Sequence, residues 1–213
     1  MGEVTPLYIA GAGGMGREAL AVLRALGRAR EVAGFVVEDA FAGSTERVGD
    51  LPVHRWSRVA PHAAGARFVV AIGATERKRI VAEIARARGV AETLVHPAVE
   101  VPADVSLGEG CIVLAGAVFT THVEVGAHSI VNVGCTLSHD AVLGRLVTLA
   151  PGVHVAGWAR VGDEATIGAG AVVIDRVSVG AGSVIGAGAV VTEDVPAGVV
   201  AVGVPARVVR HLA

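Results

Sequence analysis

From Val95 onward the chain repeats every six residues. Stepping by six gives Val95, Val101, Leu107, Val113, Phe119, Val125, Val131, Leu137, Leu143, Leu149, Val155, Val161, Ile167, Val173, Val179, Ile185 and Val191, and all 17 steps land on a bulky apolar residue. If about half of all residues qualified, the odds of this by accident would be on the order of one in 10⁵. The position four residues later is always small or Val, as at Val99, Val105, Cys111, Ala117, Val123, Ser129 and Cys135. Helices repeat at 3.6 residues and plain strands at 2, so neither accounts for a period of six. A short strand followed by a corner does. One large and one small residue per face point inward, and successive coils place like over like. A single rung buries little, so rungs stabilise one another as stacked neighbours. Glycine often follows the bulky residue, as in Leu107-Gly108, Val125-Gly126 and Leu143-Gly144. The repeat is unbroken to about residue 196, which leaves the tail, 197–213, to cap the open end.

The first 94 residues follow other rules. Leu7–Ala10 reads as a buried strand, and Gly11-Ala12-Gly13-Gly14-Met15-Gly16 follows it as a G-x-G-x-x-G. A helical pattern then runs to about Leu26, with Gly27 as its stop. A second strand, Val32–Val37, ends in Glu38-Asp39. A third, Arg67–Ile72, precedes a charged helix to Arg88, with Gly89 beyond it. This alternation predicts a small parallel sheet of Rossmann-like α/β type over residues 1–94, followed by the repeat domain over 95–213. Glycines after a first strand let the backbone approach a ligand, and the next helix N-terminus presents free N–H groups to phosphate. Gly11, Gly13 and Gly14 are the candidate phosphate-contacting positions. Asp39 is the candidate acceptor for a ribose hydroxyl or a base. The same glycines also suit a plain strand-to-helix turn. About 90 residues make only half of a dinucleotide fold, so a mononucleotide-sized ligand fits better than NAD.

Composition and charge change this picture in a few respects. Apolar residues make up 53% of the chain but aromatics only 3%, so the core is built from Val, Ile, Leu and Ala. Net charge is −2, which gives no global pointer to nucleic acid. Residues 1–94 hold 13 Lys and Arg against 10 Asp and Glu, whereas residues 95–196 hold 3 against 10. The basic half suits a phosphorylated ligand or is simply a solvated surface. Cys111 and Cys135, the only cysteines, make neither a secreted disulfide framework nor a CxxC metal site. Met1-Gly2-Glu3-Val4 lacks the layout of a signal peptide, and no apolar run reaches the roughly 18 residues of a membrane span. The expectation is a cytoplasmic protein without a membrane partner.

Several segments carry a more specific likeness. They are Ile9-Ala10-Gly11-Ala12-Gly13-Gly14, Gly34-Phe35 with Asp39, Ala71-Ile72-Gly73 with Arg77-Lys78-Arg79-Ile80, and His96-Pro97. Further on come Asn132, Ser138-His139-Asp140, Ala150-Pro151-Gly152, Gly157 and Gly203-Val204-Pro205-Ala206-Arg207. Taken together, these resemble the NeuD/PglD-type sugar acyltransferases, which include nucleotide-amino-sugar N-acetyltransferases and sialic acid O-acetyltransferases. The likeness covers nearly the whole chain. It implies a left-handed parallel β-helix with three hexads per coil, hence nearly six coils here. That hand is an exception to the right-handed crossover rule and rests on the resemblance alone. The resemblance also implies acetyl-CoA as co-substrate, a homotrimer with CoA in the groove between β-helices, and a nucleotide-sugar held partly by the first domain. It implies a role in surface glycan biosynthesis.

Acyl transfer from a thioester needs a base to take a proton from the acceptor and a donor for the developing oxyanion. By the resemblance, His139 is the general base and Asp140 its orienting partner. His139 lies two residues past inward-facing Leu137, near a corner and pointing outward. Adjacent side chains diverge on regular backbone, so Asp140 acts through a bent backbone or not at all. Asn132 hydrogen-bonds substrate, positions His139, or is an asparagine of the ladder. The Gly157 N–H is the candidate donor to the thioester oxygen, because glycine permits close approach, and the resemblance implies that Ala169 and Ala187 border the CoA arm. Relatives often carry a histidine nine residues after the base, where this chain has Thr148, and Asp-Asn where it has Ala74-Thr75. No metal site is expected. The leading expectation is N-acetylation of a nucleotide-linked amino-sugar of the UDP-4-amino-sugar type. The alternatives are O-acetylation of sialic acid, a β-helix metalloenzyme like carbonic anhydrase with three converging histidines, and a non-catalytic sugar-nucleotide sensor.

Overall fold

A computed structural model describes residues 5–41 and 46–212, and the Met1–Val4 segment lies outside them. The chain forms two compact units, residues 1–94 and 95–213.

In the first unit, β1 (Leu7–Ala10) is central. It pairs in parallel with β2 (Val32–Val37) on one side and with a strand at Arg67–Val70 on the other. Leu7, Ile9, Phe35 and Phe68 are fully buried, as expected of a sheet covered on both faces. Helix α1 (Gly14–Ala25) buries Ala19, Leu20, Val22 and Leu23, a single stripe at helical spacing. It ends as the sequence predicts: Gly27 adopts φ +72°, and the Arg28 N–H reaches back to the Leu23 carbonyl at 2.8 Å. The second long helix, Ala74–Arg86, stops two residues before its predicted end, and Arg88 takes the left-handed conformation. One element was not legible in the sequence. Arg47–Val48 and Leu51–Arg55 form a hairpin whose second strand extends the sheet beside β2. Pro52 argues against a strand, but it sits ahead of the parallel ladder, which begins at Val53.

The second unit is a left-handed parallel β-helix. Each strand from Ser106 to Val191 is two residues long, and its second residue is the bulky position of the repeat. Partners are separated by 18 residues, as in Thr136↔His154 and Leu137↔Val155, so three hexads make one coil. The bulky and small positions form one continuous core. Val113, Val131, Leu137 and Leu149 are 0% exposed, and so are Cys111, Val123, Cys135 and Ala141 at the small position. Each Val, Leu, Ile or Phe among them contributes about 1.5–3 kcal/mol when fully covered, which requires coils above and below it. The polar small residues also tie coils together: Cys135 Sγ donates to the Ala150 carbonyl at 3.2 Å, and Ser129 Oγ to that of Gly144 at 2.9 Å. The rung expected at Val101 is not a strand, because Pro102 beside it has no N–H to donate. Regular rungs therefore run from Ser106 to Val191, five to a face. At the far end Val199–Val202 pairs with Val184–Ile185, then turns back as an antiparallel hairpin with Arg207–His211.

Two regularities govern the corners. The third residue after each bulky position is left-handed, from Gly110 (φ +69°) through Asp140 (+60°) and Trp158 (+53°) to Gly188 (+66°). Glycine follows the bulky residue at 108, 126, 144, 162 and 180, one per coil on one corner. There a Cβ would come within 2.3–2.6 Å of the next coil.

Candidate active site

His139 and Asp140 occupy the corner after the strand Thr136–Leu137. Their side chains are 43% and 41% exposed. The left-handed bend at Asp140 overcomes the usual divergence of neighbouring side chains, and Asp140 Oδ2 lies 3.0 Å from His139 Nδ1. A carboxylate on Nδ1 holds the proton there and leaves Nε2 as the basic nitrogen.

One coil further on, the same corner carries Gly157 and Trp158. The His139 ring rests against Gly157. A Cβ there would stand 2.6 Å from Cε1 and 2.7 Å from Nε2. The Gly157 N–H, the candidate donor to the thioester oxygen, donates in this structure to Asp175 Oδ1 at 3.0 Å. The same device recurs where Arg145 N–H meets Asp163 Oδ1 at 2.8 Å, so it belongs to the corner architecture. What the structure requires of Gly157 is the space for the imidazole. The indole of Trp158 meets the His139 ring nearly edge-on, with centroids 4.4 Å apart and planes at 84°. The Arg176 guanidinium lies 4.2 Å from the Trp158 ring centroid. Trp158 and Arg176 were not singled out in the sequence. Writing it in rows of 18 residues would have placed them in one column with Asp140.

Asn132 is elsewhere. It follows Ile130–Val131 and turns the preceding corner, where it is 6% exposed. Ala169 and Ala187 lie in later coils of that same corner, exposed and beside the open positions Gly170 and Gly188. The result is a smooth ledge of alanine and glycine, suited to an extended thioester arm. A single chain thus divides the expected site between two corners: the base on one, Asn132 and the ledge on the other. Thr148 lies within a face, paired with Ile130 and Thr166. Among the described residues, no group of three His, Cys, Asp or Glu is placed to hold a metal ion. None of the described helices is long and apolar enough to cross a membrane.

The first unit contains a cavity of about 420 Å³ lined by Gly11, Gly13, Gly14, Glu38, Trp56, Ile72 and Glu76, among others. Its glycines divide the work. At Gly11 a Cβ would meet the Ala71 carbonyl oxygen at 2.5 Å, and at Gly16 the Gly11 carbonyl oxygen at 2.0 Å. Gly13 and Gly14 face open space. Gly16 therefore lets α1 close on the end of β1, and Gly11 lets the loop close on the Ala71–Ile72 segment, while Gly13 and Gly14 expose backbone at the start of α1, where a helix has unsatisfied N–H groups. Asp39 does not line the cavity; its Oδ1 accepts from Ser57 Oγ at 2.9 Å. Its neighbour Glu38 does line it, with its carboxylate paired with Arg79, and so does Glu76.

Comparison with known proteins gives these features a context. Residues 159–193 match the bacterial transferase hexapeptide family model, described as six repeats. Among solved structures, PerB from Caulobacter crescentus, in complex with CoA and GDP-perosamine, is 33% identical with a TM-score of 0.87. The match covers 96% of this chain and 97% of that one. A perosamine N-acetyltransferase from the same organism, carrying a histidine-to-asparagine substitution, matches equally well, with a TM-score of 0.88. The acetyltransferase domain of PglB from Neisseria gonorrhoeae, in complex with acetyl coenzyme A, is 30% identical. Its TM-score is 0.86 over 96% of this chain and 99% of that one. No curated protein sequence matches.

Proposed function

Because the chain belongs to the NeuD/PglD-type family of hexapeptide-repeat sugar acyltransferases, we propose that it N-acetylates an amino-sugar linked to a nucleoside diphosphate. It is an acetyl-CoA-dependent sugar acetyltransferase. The finer reading rests chiefly on the His139–Asp140 pair, with its 3.0 Å contact at Nδ1 and its second nitrogen packed over Gly157. His139 Nε2 takes a proton from the acceptor amine as the amine nitrogen attacks the thioester carbonyl. The tetrahedral intermediate then collapses, the C–S bond breaks, and the departing thiolate recovers a proton from the imidazolium. Asp140 holds the ring and stabilises its charged form. For the Gly157 N–H to serve the thioester oxygen, Asp175 has to release it.

The nucleotide sits in the first unit, with its diphosphate against the Gly13–Gly14 backbone and its base or ribose near Glu38. UDP is one candidate, from the resemblance. GDP is the other, because the Caulobacter relative binds GDP-perosamine. The division of the expected site between two corners supports a homotrimer, in which the His139 corner of one protomer meets the Asn132 ledge of its partner.

The test is thiol release from acetyl-CoA against UDP-, GDP- and dTDP-linked amino-sugars, with His139→Ala alongside. Turnover on at least one 4-amino-sugar is expected, with a loss of roughly 10²-fold in the variant. Turnover of free sialic acid alone would instead make the chain an O-acetyltransferase and leave the glycine loop without a phosphate to hold.

A further inference from the structure

We propose that Trp158, backed by Arg176, is a positioning residue that fixes the plane of the His139 imidazole. This inference rests on the reading of His139 as the base. Three successive coils contribute to the arrangement. His139 stands nearly perpendicular to the indole at 4.4 Å, and the Arg176 guanidinium lies 4.2 Å from the same indole. The backbone sets the spacing, because the Trp158 N–H donates to the His139 carbonyl at 3.1 Å and the Arg176 N–H to the Gly157 carbonyl at 2.9 Å.

Trp158 occupies an unfavourable place for its type. Its φ is +53°, a region that β-carbons oppose, and its indole is 43% exposed. At the equivalent turn of the preceding corner every coil uses glycine, from Gly116 to Gly188. His122, Asp140 and Arg176 share this turn at Trp158's own corner, so the conformation belongs to the corner, and the large exposed indole is what sets Trp158 apart. The contacts identify its role. Asp140 restrains His139 only at Nδ1, which leaves the ring free to swing about that bond. Gly157 offers space rather than restraint. The indole supplies the second restraint, and the cation–π contact with Arg176 keeps the indole from turning away.

The experiment is steady-state kinetics of Trp158→Ala, Trp158→Phe and Arg176→Ala, each also in the His139→Ala background. Trp158→Ala is expected to lower kcat roughly tenfold, as a displaced catalytic group does, with both KM values within about twofold of the parent. Trp158→Phe recovers most of the loss, Arg176→Ala gives a smaller one, and none of the three lowers activity further once His139 is gone. In NMR spectra the carbon-bound protons of the His139 ring lose their ring-current shift in Trp158→Ala. A raised acceptor KM with intact kcat would make Trp158 a substrate contact and overturn the proposal. So would an undiminished effect in the His139→Ala background. Full turnover in His139→Ala alone removes the base reading and the proposal with it. A normal loss there, with kcat unchanged in Trp158→Ala, removes the proposal only.

Discussion

Adding one methyl group at Gly157 tests the site geometry without touching a polar atom. The new Cβ would lie 2.6 Å from His139 Cε1 and 2.7 Å from Nε2, and ordinary contact begins at 3.4 Å, so the ring must retreat by about 0.8 Å. The three nearest heavy atoms all belong to the His139 ring, the far end of a side chain, and Gly157 is not among the left-handed glycines. The fold therefore accepts the methyl group. The change in stability should stay within about 1 kcal/mol, and the reduced freedom of the unfolded chain acts in the stabilising direction. Catalysis should not accept it. A displacement near 1 Å costs about 10²-fold in rate, or roughly 2.7 kcal/mol in the barrier. It also strains the 3.0 Å contact with Asp140. The assay is kcat by thiol release, paired with a thermal melt. A Gly157→Ala enzyme with nearly full kcat would refute the argument, because His139 would then not need the place it occupies. A collapse in melting temperature would refute it differently, by showing that the glycine serves the coil rather than the base.

The glycine loop of the first unit offers a second contrast. Gly16→Ala meets the Gly11 carbonyl oxygen at 2.0 Å and should destabilise that unit by several kcal/mol, read by denaturant unfolding. Gly13→Ala enters open space and should leave stability within about 1 kcal/mol while raising the KM for the nucleotide-sugar; equal effects from the two would refute the division of roles. Acid stability should depend on Glu31. The hydrogen bonds from Arg28 and Arg67 hold its carboxyl down at about 2, from an ordinary 4.5. A depressed carboxylate contributes stability that is complete above its unfolded value and is lost as pH falls toward the folded one. The melting temperature should therefore drop below about pH 4.5, and Glu31→Gln should flatten part of that drop; parallel curves for the two proteins would sink the idea.

The elements of the second unit were legible because their cause is local. A six-residue alternation of large, small and turn positions is written residue by residue, and the observed rungs end on the residues that the period marks. Leu7–Ala10 and Val32–Val37 were legible for the same reason, as apolar runs bounded by turn residues. The hairpin over residues 47–55 was not, because Pro52 hides a strand whose parallel ladder beside β2 begins one residue later. Asp39 was favoured over Glu38 because spacing along a chain does not say which of two adjacent acids turns toward a cavity.

By itself, the sequence determined the coil, its inward-facing residues, the strand-glycine-helix order of the first unit and the presence of a His-Asp pair. Only the tertiary structure decided what surrounds that pair. It gave the Gly157 N–H to Asp175 and set His139 against Trp158. The physical reason is separation. A side chain's inward or outward direction follows from the backbone of its own hexad. Contacts between coils join residues about 18 apart, and they exist only once the chain has closed around its core and stacked one turn on the next.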